Sequence, residues 1–393
     1  MSVNDNDQLR PLIIDIGSNS FRMGWAGDDY PDIIAPSVYV DITDNLFTSD
    51  VIDGLEDIFI REEIVENNLF GREALKYQNI LKIREFWKEN NYHILLKYFN
   101  YYYQQLNITP ENQYKQPLVI IAPFFTTELE KTQLQRLFFE YFKFPAILFI
   151  SESQTILSAL QKTSGVIVYL GESISYISTI FHGFTNIMAR DIYPIAGKEL
   201  TDFFLNMLLT EKGSGRSLYL DKWLAKEIKE KTLLCVLGAE EEKKRVKEGL
   251  SKYNQPVNFP DGSELVINSE RFITTESLFN PKLIHIDYIG LPEAISKVIK
   301  SWDRENWEEL ISSIILSGGT SLIPGLKERL TTELMSYFSD KIRNKINITA
   351  VSGRENMGWI GASILYTKNQ LDKGWIQNPE FQSVSNENIQ QEQ

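Results

Sequence analysis

The chain has one cysteine, Cys235, in 393 residues. That excludes an internal disulfide framework and any cysteine-rich zinc centre, and it makes a reducing compartment the default. There are three histidines, His93, His182 and His285; none falls in a motif, so all three read as structural or surface residues. No run of about 18 uncharged apolar residues occurs, so no helical membrane span is expected, and the polar start MSVNDNDQ does not resemble a secretory signal. Positive charge is also in deficit. With 40 Lys and Arg against 53 Asp and Glu, the net charge is −13, which disfavours a surface built to neutralise nucleic acid. What remains is the expectation of a soluble intracellular protein: 43% hydrophobic and 24% charged residues suit a globular chain, and the length allows two domains with sizeable cores.

Leu12 to Asp29, LIIDIGSNSFRMGWAGDD, is the most informative stretch. An apolar run ends in Asp15, turns through Gly17, Ser18 and Asn19, and re-enters a strand in which Phe21, Met23 and Trp25 alternate with Arg22 and Gly24. Gly17 lets the backbone approach an anion, the N–H groups of residues 17 to 20 form a concave donor set, and Arg22 can reach back to a phosphate. Asp15 then stands where a hydrated divalent cation is needed. An ordinary surface hairpin would have the same look. Far along the chain, Ile314 to Gly325 (IILSGGTSLIPG) gives a second buried strand, a Gly-Gly turn and a helix start with Pro324 near its first turn.

Between these lie helical patterns at Trp87 to Leu106 and Glu128 to Tyr141, and strands at Leu118–Ala122, Ala146–Ile150 and Val166–Leu170. This is the β/α order of a sheet covered by helices. The aromatic run Tyr98 to Tyr103 reads as helix packing rather than a binding platform. Asp41 to Glu66 holds nine acids and one base, Arg61, and reads as a partner-facing insert or a solvated helix face. Residue identities reveal no internal repeat, and the tail Ser383 to Gln393 is expected to be disordered.

With their flanks, these segments resemble actin and the actin-related proteins over about Leu12 to Phe381. The most specific stretches are GWAGDDYPDIIAPS (24–37), the Gly318 turn and FPDGSELVINSERFITTESLFNP (259–281). AGKELTDFFLNMLLTEKG (196–213), EIKEKTLLCV (227–236) and WIGASIL (359–365) add to them. The resemblance implies an α/β, two-lobed actin-like fold, the superfold of actin, heat-shock chaperones and sugar kinases, with a nucleotide cleft between the lobes. Residues 1–36, 76–161 and 356–393 would form the inner part of the first lobe, with 37–75 as its acidic outer insert. Residues 162–195 and 287–355 would form the inner part of the second lobe, and 196–286 its outer part. The implied cofactor is ATP or ADP with Mg2+. Asp15 would hold the metal through water; Gly17, Ser18, Asn19, Arg22 and Gly171 would hold phosphates; Lys229 and Glu230 would meet the adenosine; Gly318, Gly319 and Thr320 would pass beneath the nucleotide. Gln154 would position water. Without the resemblance, Lys229 and Glu230 read as solvated helix residues.

Departures from the family pattern bear on activity. The second phosphate turn of actins opens on an Asp and ends on a His, whereas here it reads YLGESISY, 169–176. Tyr169 replaces the metal-side acid, Ser173 a glycine and Tyr176 the water-polarising His; a tyrosine of pKa about 10 is a poor proton acceptor at neutral pH. Arg22 replaces a Lys, and Glu355 replaces a base-side Lys. The acidic block shows no likeness to the family's polymerising loop, the Lys162–Ser164 connection is about two residues shorter, and the chain ends in NENIQQEQ. The preferred reading is a nucleotide-binding structural subunit of a multiprotein assembly, at most a slow actin-type ATPase. It would meet protein partners, possibly other actin-family subunits, in the cytoplasm and cytoskeleton, with the nucleus left open. The rival is a filament-forming cytoskeletal ATPase. A chaperone or small-molecule kinase is poorly supported, because there is no room for a chaperone substrate domain.

Overall fold

The computed structural model describes residues 10–43, 68–78, 81–85, 92–106, 108–109, 112–211, 220–258, 262, 264–371 and 373–380. The acidic block from residue 44 onward, the start of the helical pattern at Trp87 and the polar tail lie outside them. The chain divides into two compact units, Met1–Ala159 with Gly358–Gln393, and Leu160–Met357.

The first unit is built on a meander of β1 (Leu12–Ile16), β2 (Ser20–Trp25) and β3 (Ile33–Pro36), followed by the parallel strands β6 (Leu118–Ala122) and β7 (Ala146–Ser151). The short strands β4 (Tyr39–Asp41) and β5 (Asn68–Phe70) pair with each other. In the main sheet the order is β7, β6, β1, β2, β3, with Ile376–Gln377 added antiparallel outside β7. Strand alternation divides its side chains between two cores. Leu12, Ile14, Leu118 and Ile120 face α1 (Tyr92–Tyr103) and α2 (Glu128–Phe142). Ile13, Val119 and Ile121 face Trp359, Ala362 and Leu365 of the C-terminal helix Met357–Thr367. Tyr98, Phe99 and Tyr103 are fully buried, so the aromatic run is packing. Helix α2 starts where Thr127 and Glu130 close a reciprocal capping box, and α3 (Glu152–Ala159) follows β7 directly.

The second unit repeats this order. β8 (Gly165–Leu170), β9 (Ser175–Phe181) and β10 (Phe184–Tyr193) form a meander, and the sheet runs β10, β9, β8, β13 (Ile314–Ser317), β14 (Ile348–Thr349), its last two strands parallel to β8 or to each other. The repeat is one of topology, invisible in residue identities. Between β10 and β13 it carries α4 (Gly197–Glu211), α5 (Lys222–Thr232) and the strand pair β11 (Gln255–Asn258) and β12 (Glu264–Ile267) around a small core of Phe204, Leu208, Ile228 and Ile267. After β13 the chain makes a 3-10 turn, Gly319–Leu322, and the next helix begins at Leu326. Pro324 therefore precedes that helix instead of lying in its first turn, because Gly325, at φ +80°, reorients the chain first.

The histidines lie on exposed turns or helix surface. His182 and His285 both take positive φ, consistent with a structural role.

Candidate nucleotide site

In the first unit, the turn between β1 and β2 closes with the Gly17 N–H donating to the Ser20 carbonyl at 3.1 Å. A Cβ at Gly17 would lie 2.8 Å from that oxygen, so glycine is required by the turn itself. This corrects one expectation: the Gly17 N–H is engaged within the turn and is not part of an anion-facing donor set. Ser37 braces the outside, its Oγ donating to the Gly17 carbonyl at 2.6 Å and its N–H to the Asn19 carbonyl at 3.0 Å. Tyr98 steadies that brace by donating to the Pro36 carbonyl at 2.7 Å. Asp15 and Arg22 face each other across the hairpin and form a buried ion pair, Nη1 to Oδ2 2.9 Å. Burial pushes the Asp15 carboxyl up, and the facing guanidinium offsets only part of that. Two acids lie near Gly358: its Cβ position is 3.9 Å from both Asp15 Oδ2 and Glu152 Oε1, ordinary contact. Gln154, on α3, is exposed.

The second unit carries a turn of the same build. Gly171 donates to the Ile174 carbonyl at 3.0 Å, and a Cβ there would lie 2.6 Å from that oxygen. Where the first turn has Asp15 opposite Arg22, this one has Tyr169 opposite Tyr176. The two rings stack, with centroids 4.9 Å apart and planes at 13°, and Tyr176 is 1% exposed. The two tyrosines, separate replacements in the sequence, thus form one cross-strand pair.

Around this turn the residues expected at the nucleotide converge. The Gly171 carbonyl accepts from Thr320 Oγ1 at 2.7 Å and from the Gly197 N–H at 2.9 Å. Gly318, at φ +85°, brings β13 so close that a Cβ would sit 2.4 Å from the Leu170 carbonyl, whereas Gly319 has open space beside it. Only Gly318 is demanded by the fold. Lys229 is 5% exposed, contrary to its reading as a solvated helix residue. Its Nζ donates to the Gly197 carbonyl at 2.9 Å and lies 3.5 Å from Glu172 Oε2, while Lys226 meets Glu172 Oε1 at 3.2 Å. Burial pushes Glu172 up, but Lys229 and then Lys226 more than reverse this and hold its carboxyl below the usual range. Burial draws Lys229 down, whereas Glu230 lies on the solvent side of α5. Glu172 and Gly197 lie in segments that the sequence singles out, YLGESISY and AGKELTDFF, but the sequence assigns a role to neither, and Lys226 carries no motif.

A buried carboxylate held below its ordinary pKa contributes stability that is complete above the ordinary carboxyl range, about 4.3, and is lost as pH falls through its depressed value. Glu172→Gln should cost about 3 kcal/mol at pH 7, because two enclosed lysines lose their counter-ion. The gap from the wild type should close in acid. Urea unfolding of both proteins between pH 7 and pH 3 checks this, and parallel pH curves would contradict it.

Among the described residues, no three His, Cys, Asp or Glu side chains are grouped to hold a metal ion. Of the two acids that the sequence resemblance expects at these turns, Asp15 is present and position 169 carries a tyrosine. No helix among the described residues is long and apolar enough to cross a membrane.

The family model described as Actin matches residues 6–392. The chain is 27% identical to "Centractin" of Schizosaccharomyces pombe over 394 residues, 98% of each chain. It is 27% identical to "Actin-like protein" of Neurospora crassa over 93% of each, and 26% identical to "Putative actin-29" of Dictyostelium discoideum over 99% of each. Two sheets of the same meander-plus-parallel order, two glycine turns and a match spanning nearly the whole chain place this protein in the actin family, as a divergent actin-related member.

Proposed function

We propose that the chain is a nucleotide-binding subunit of a protein assembly, with slow or no hydrolysis. The observation that carries this reading is the contrast between two turns of the same build. The first keeps its glycine and Asp15 and carries Arg22, groups suited to an anion and its cation. The second retains the glycine but has an uncharged, stacked Tyr169–Tyr176 pair where activation of water would need an acid and a base. Binding and turnover are thereby separated: the backbone shape that accepts phosphates survives, and the groups that would drive hydrolysis do not. On this reading Asp15 would orient the water shell of a magnesium ion, which when bound supplies charge neutralisation for the phosphates. Arg22, Ser18 and Asn19 would hold phosphates, and Lys229 and Glu230 would lie at the nucleoside. Gln154, exposed on α3, would be left to orient water without a partner base.

Partners would be proteins, other actin-family chains among them, in the cytoplasm and cytoskeleton. A net charge of −13 works against self-assembly of like subunits, since unscreened like charges at a contact are unfavourable.

One experiment on nucleotide-stripped protein tests the reading. A ligand that binds only the folded form stabilises it by mass action, so magnesium-ATP at 100 times its dissociation constant should add about 2.7 kcal/mol. The same sample should stay in the supernatant on centrifugation at about 0.15 M salt. Unchanged melting with every purine triphosphate at millimolar concentration would reject nucleotide binding. Abundant filaments would favour the filament-forming ATPase instead.

A further inference from the structure

The outer strand of the second unit's sheet carries an arch. On β10, Thr185 faces Ile180 and Arg190 faces Ser178, so the residues from Asn186 to Ala189 stand opposite Thr179 alone on β9. The surplus is pushed out of the ladder. Both sides of the arch are held: the Met188 N–H donates to Asn186 Oδ1 at 2.9 Å, and Thr179 Oγ1 donates to the Ala189 carbonyl at 2.8 Å. Ala189 points into the core, whereas Phe184, Ile187 and Met188 are exposed. The methionines differ sharply in access. Met188 is 79% exposed against 39% for Met335, while Met23, Met207 and Met357 are buried, and Met1 lies outside the described residues. The one cysteine, Cys235, is buried, and burial pushes its thiol up to about 12. No thiolate is therefore available to react with an oxidant first.

We propose that Met188 is a reversible oxidation site that takes an oxygen atom from hydrogen peroxide and turns this arch from apolar to polar. The sulfur lone pair attacks one peroxide oxygen, the S–O bond forms as the O–O bond breaks, and the transferred hydroxyl gives its proton to the leaving hydroxide. The products are methionine sulfoxide and water, the sulfur oxidised and the peroxide reduced. A sulfoxide carries a strong dipole where the thioether was apolar, so the surface shared with Phe184 and Ile187 loses much of its apolar character. The fold is left intact. Met188 is not part of the core cluster that Ala189 joins, so its oxidation removes no packing there, whereas a sulfoxide at Met23 would set an unpaired dipole inside the first unit's core. The anchored backbone on either side keeps residue 188 at the surface in both redox forms.

The test exposes the full chain to hydrogen peroxide and follows sulfoxide at each methionine by peptide mass mapping. Met188 should oxidise about twofold faster than Met335, in proportion to their exposure, and at least about tenfold faster than Met23, Met207 and Met357. In denaturing urea these rates should converge. The oxidised chain should elute earlier from a hydrophobic-interaction column with its melting temperature unchanged, and methionine sulfoxide reductase should restore the original elution. Met188→Leu should keep the late elution and lose the response to peroxide, while Met188→Gln should elute early without any. Oxidation of Met335 ahead of Met188 overturns the assignment. So does an elution shift that persists in Met188→Leu, an elution unmoved once Met188 is oxidised, or a melting temperature that falls as the Met188 sulfoxide forms.

Discussion

Gly361→Ala should destabilise the first unit by more than about 3 kcal/mol. A Cβ at this position would lie 1.7 Å from the Thr155 carbonyl oxygen and 2.4 Å from its carbon. Both partners are backbone, so no side chain can rotate away. The C-terminal helix would have to back off from α3 by more than an ångström, and Trp359, Ala362 and Leu365 would lose their seats against Ile13, Val119 and Ile121. Overpacking alone typically costs about 1–3 kcal/mol, and a backbone clash adds the cost of the voids opened by separation. Trp359, whose Nε1 donates to the Ile13 carbonyl at 3.1 Å, would lose that bond too. One turn earlier, Gly358 provides the control. Its nearest neighbours are 3.8–3.9 Å away, ordinary contact, so Gly358→Ala should stay within about 1 kcal/mol of wild type, the gain in helix propensity included. Urea unfolding of the two variants decides it, and a Gly361→Ala midpoint equal to that of Gly358→Ala would show that the helices are not in close backbone contact.

The glycine turn at Gly17 was legible because glycine is demanded there by local geometry, while the one at Gly171 was reached through the family resemblance. Gly17 and Gly171 each close a four-residue turn in which the N–H of the glycine meets the carbonyl three residues on, and such turns leave a sequence mark. Strand periodicity was equally readable at Leu118–Ala122, which is buried along its whole length. What could not be read was register. Asp15 and Arg22 were assigned separate tasks, metal and phosphate, yet they face each other and pair. Tyr169 and Tyr176 read as two separate losses and are in fact one stacked pair. The signal was present in the spacing: in each hairpin the partners are seven residues apart, with glycine two residues after the first. Lys229 could not be placed from sequence, because its burial depends on Glu172, which lies 57 positions away and is brought to it only by tertiary packing. The same limit hid Glu152, which like Asp15 lies near Gly358, on a helix far along the chain.

Replacing Tyr169 by Asp and Tyr176 by His together should raise the rate of phosphate release by about 100-fold or more. A well-placed proton acceptor typically contributes about 10²- to 10⁴-fold, and the wild-type turn offers in its place a phenol, a poor acceptor at neutral pH. Tyr176 is also 1% exposed and stacked on Tyr169, so little water reaches it. The substitutions belong together because the residues share one cross-strand position. A carboxylate introduced at 169 alone would be set against an aromatic ring, and an imidazole at 176 alone would lack the acid opposite it. Residues acting as a unit are strongly non-additive, so each single variant should stay near the wild-type rate. Restoring the pair has a structural cost: the stacked rings contribute about 0.5–1.5 kcal/mol beyond the area they bury, and the smaller side chains leave space beside β8 and β9. The double variant should therefore melt earlier than wild type while turning over faster, a combination that general loosening of the fold would not produce. Single-turnover phosphate release, measured on all four proteins at saturating magnesium nucleotide, provides the comparison. If the wild type already releases phosphate as fast as the double variant, the tyrosine pair is not what limits hydrolysis, and the filament-forming ATPase becomes the better description of this chain.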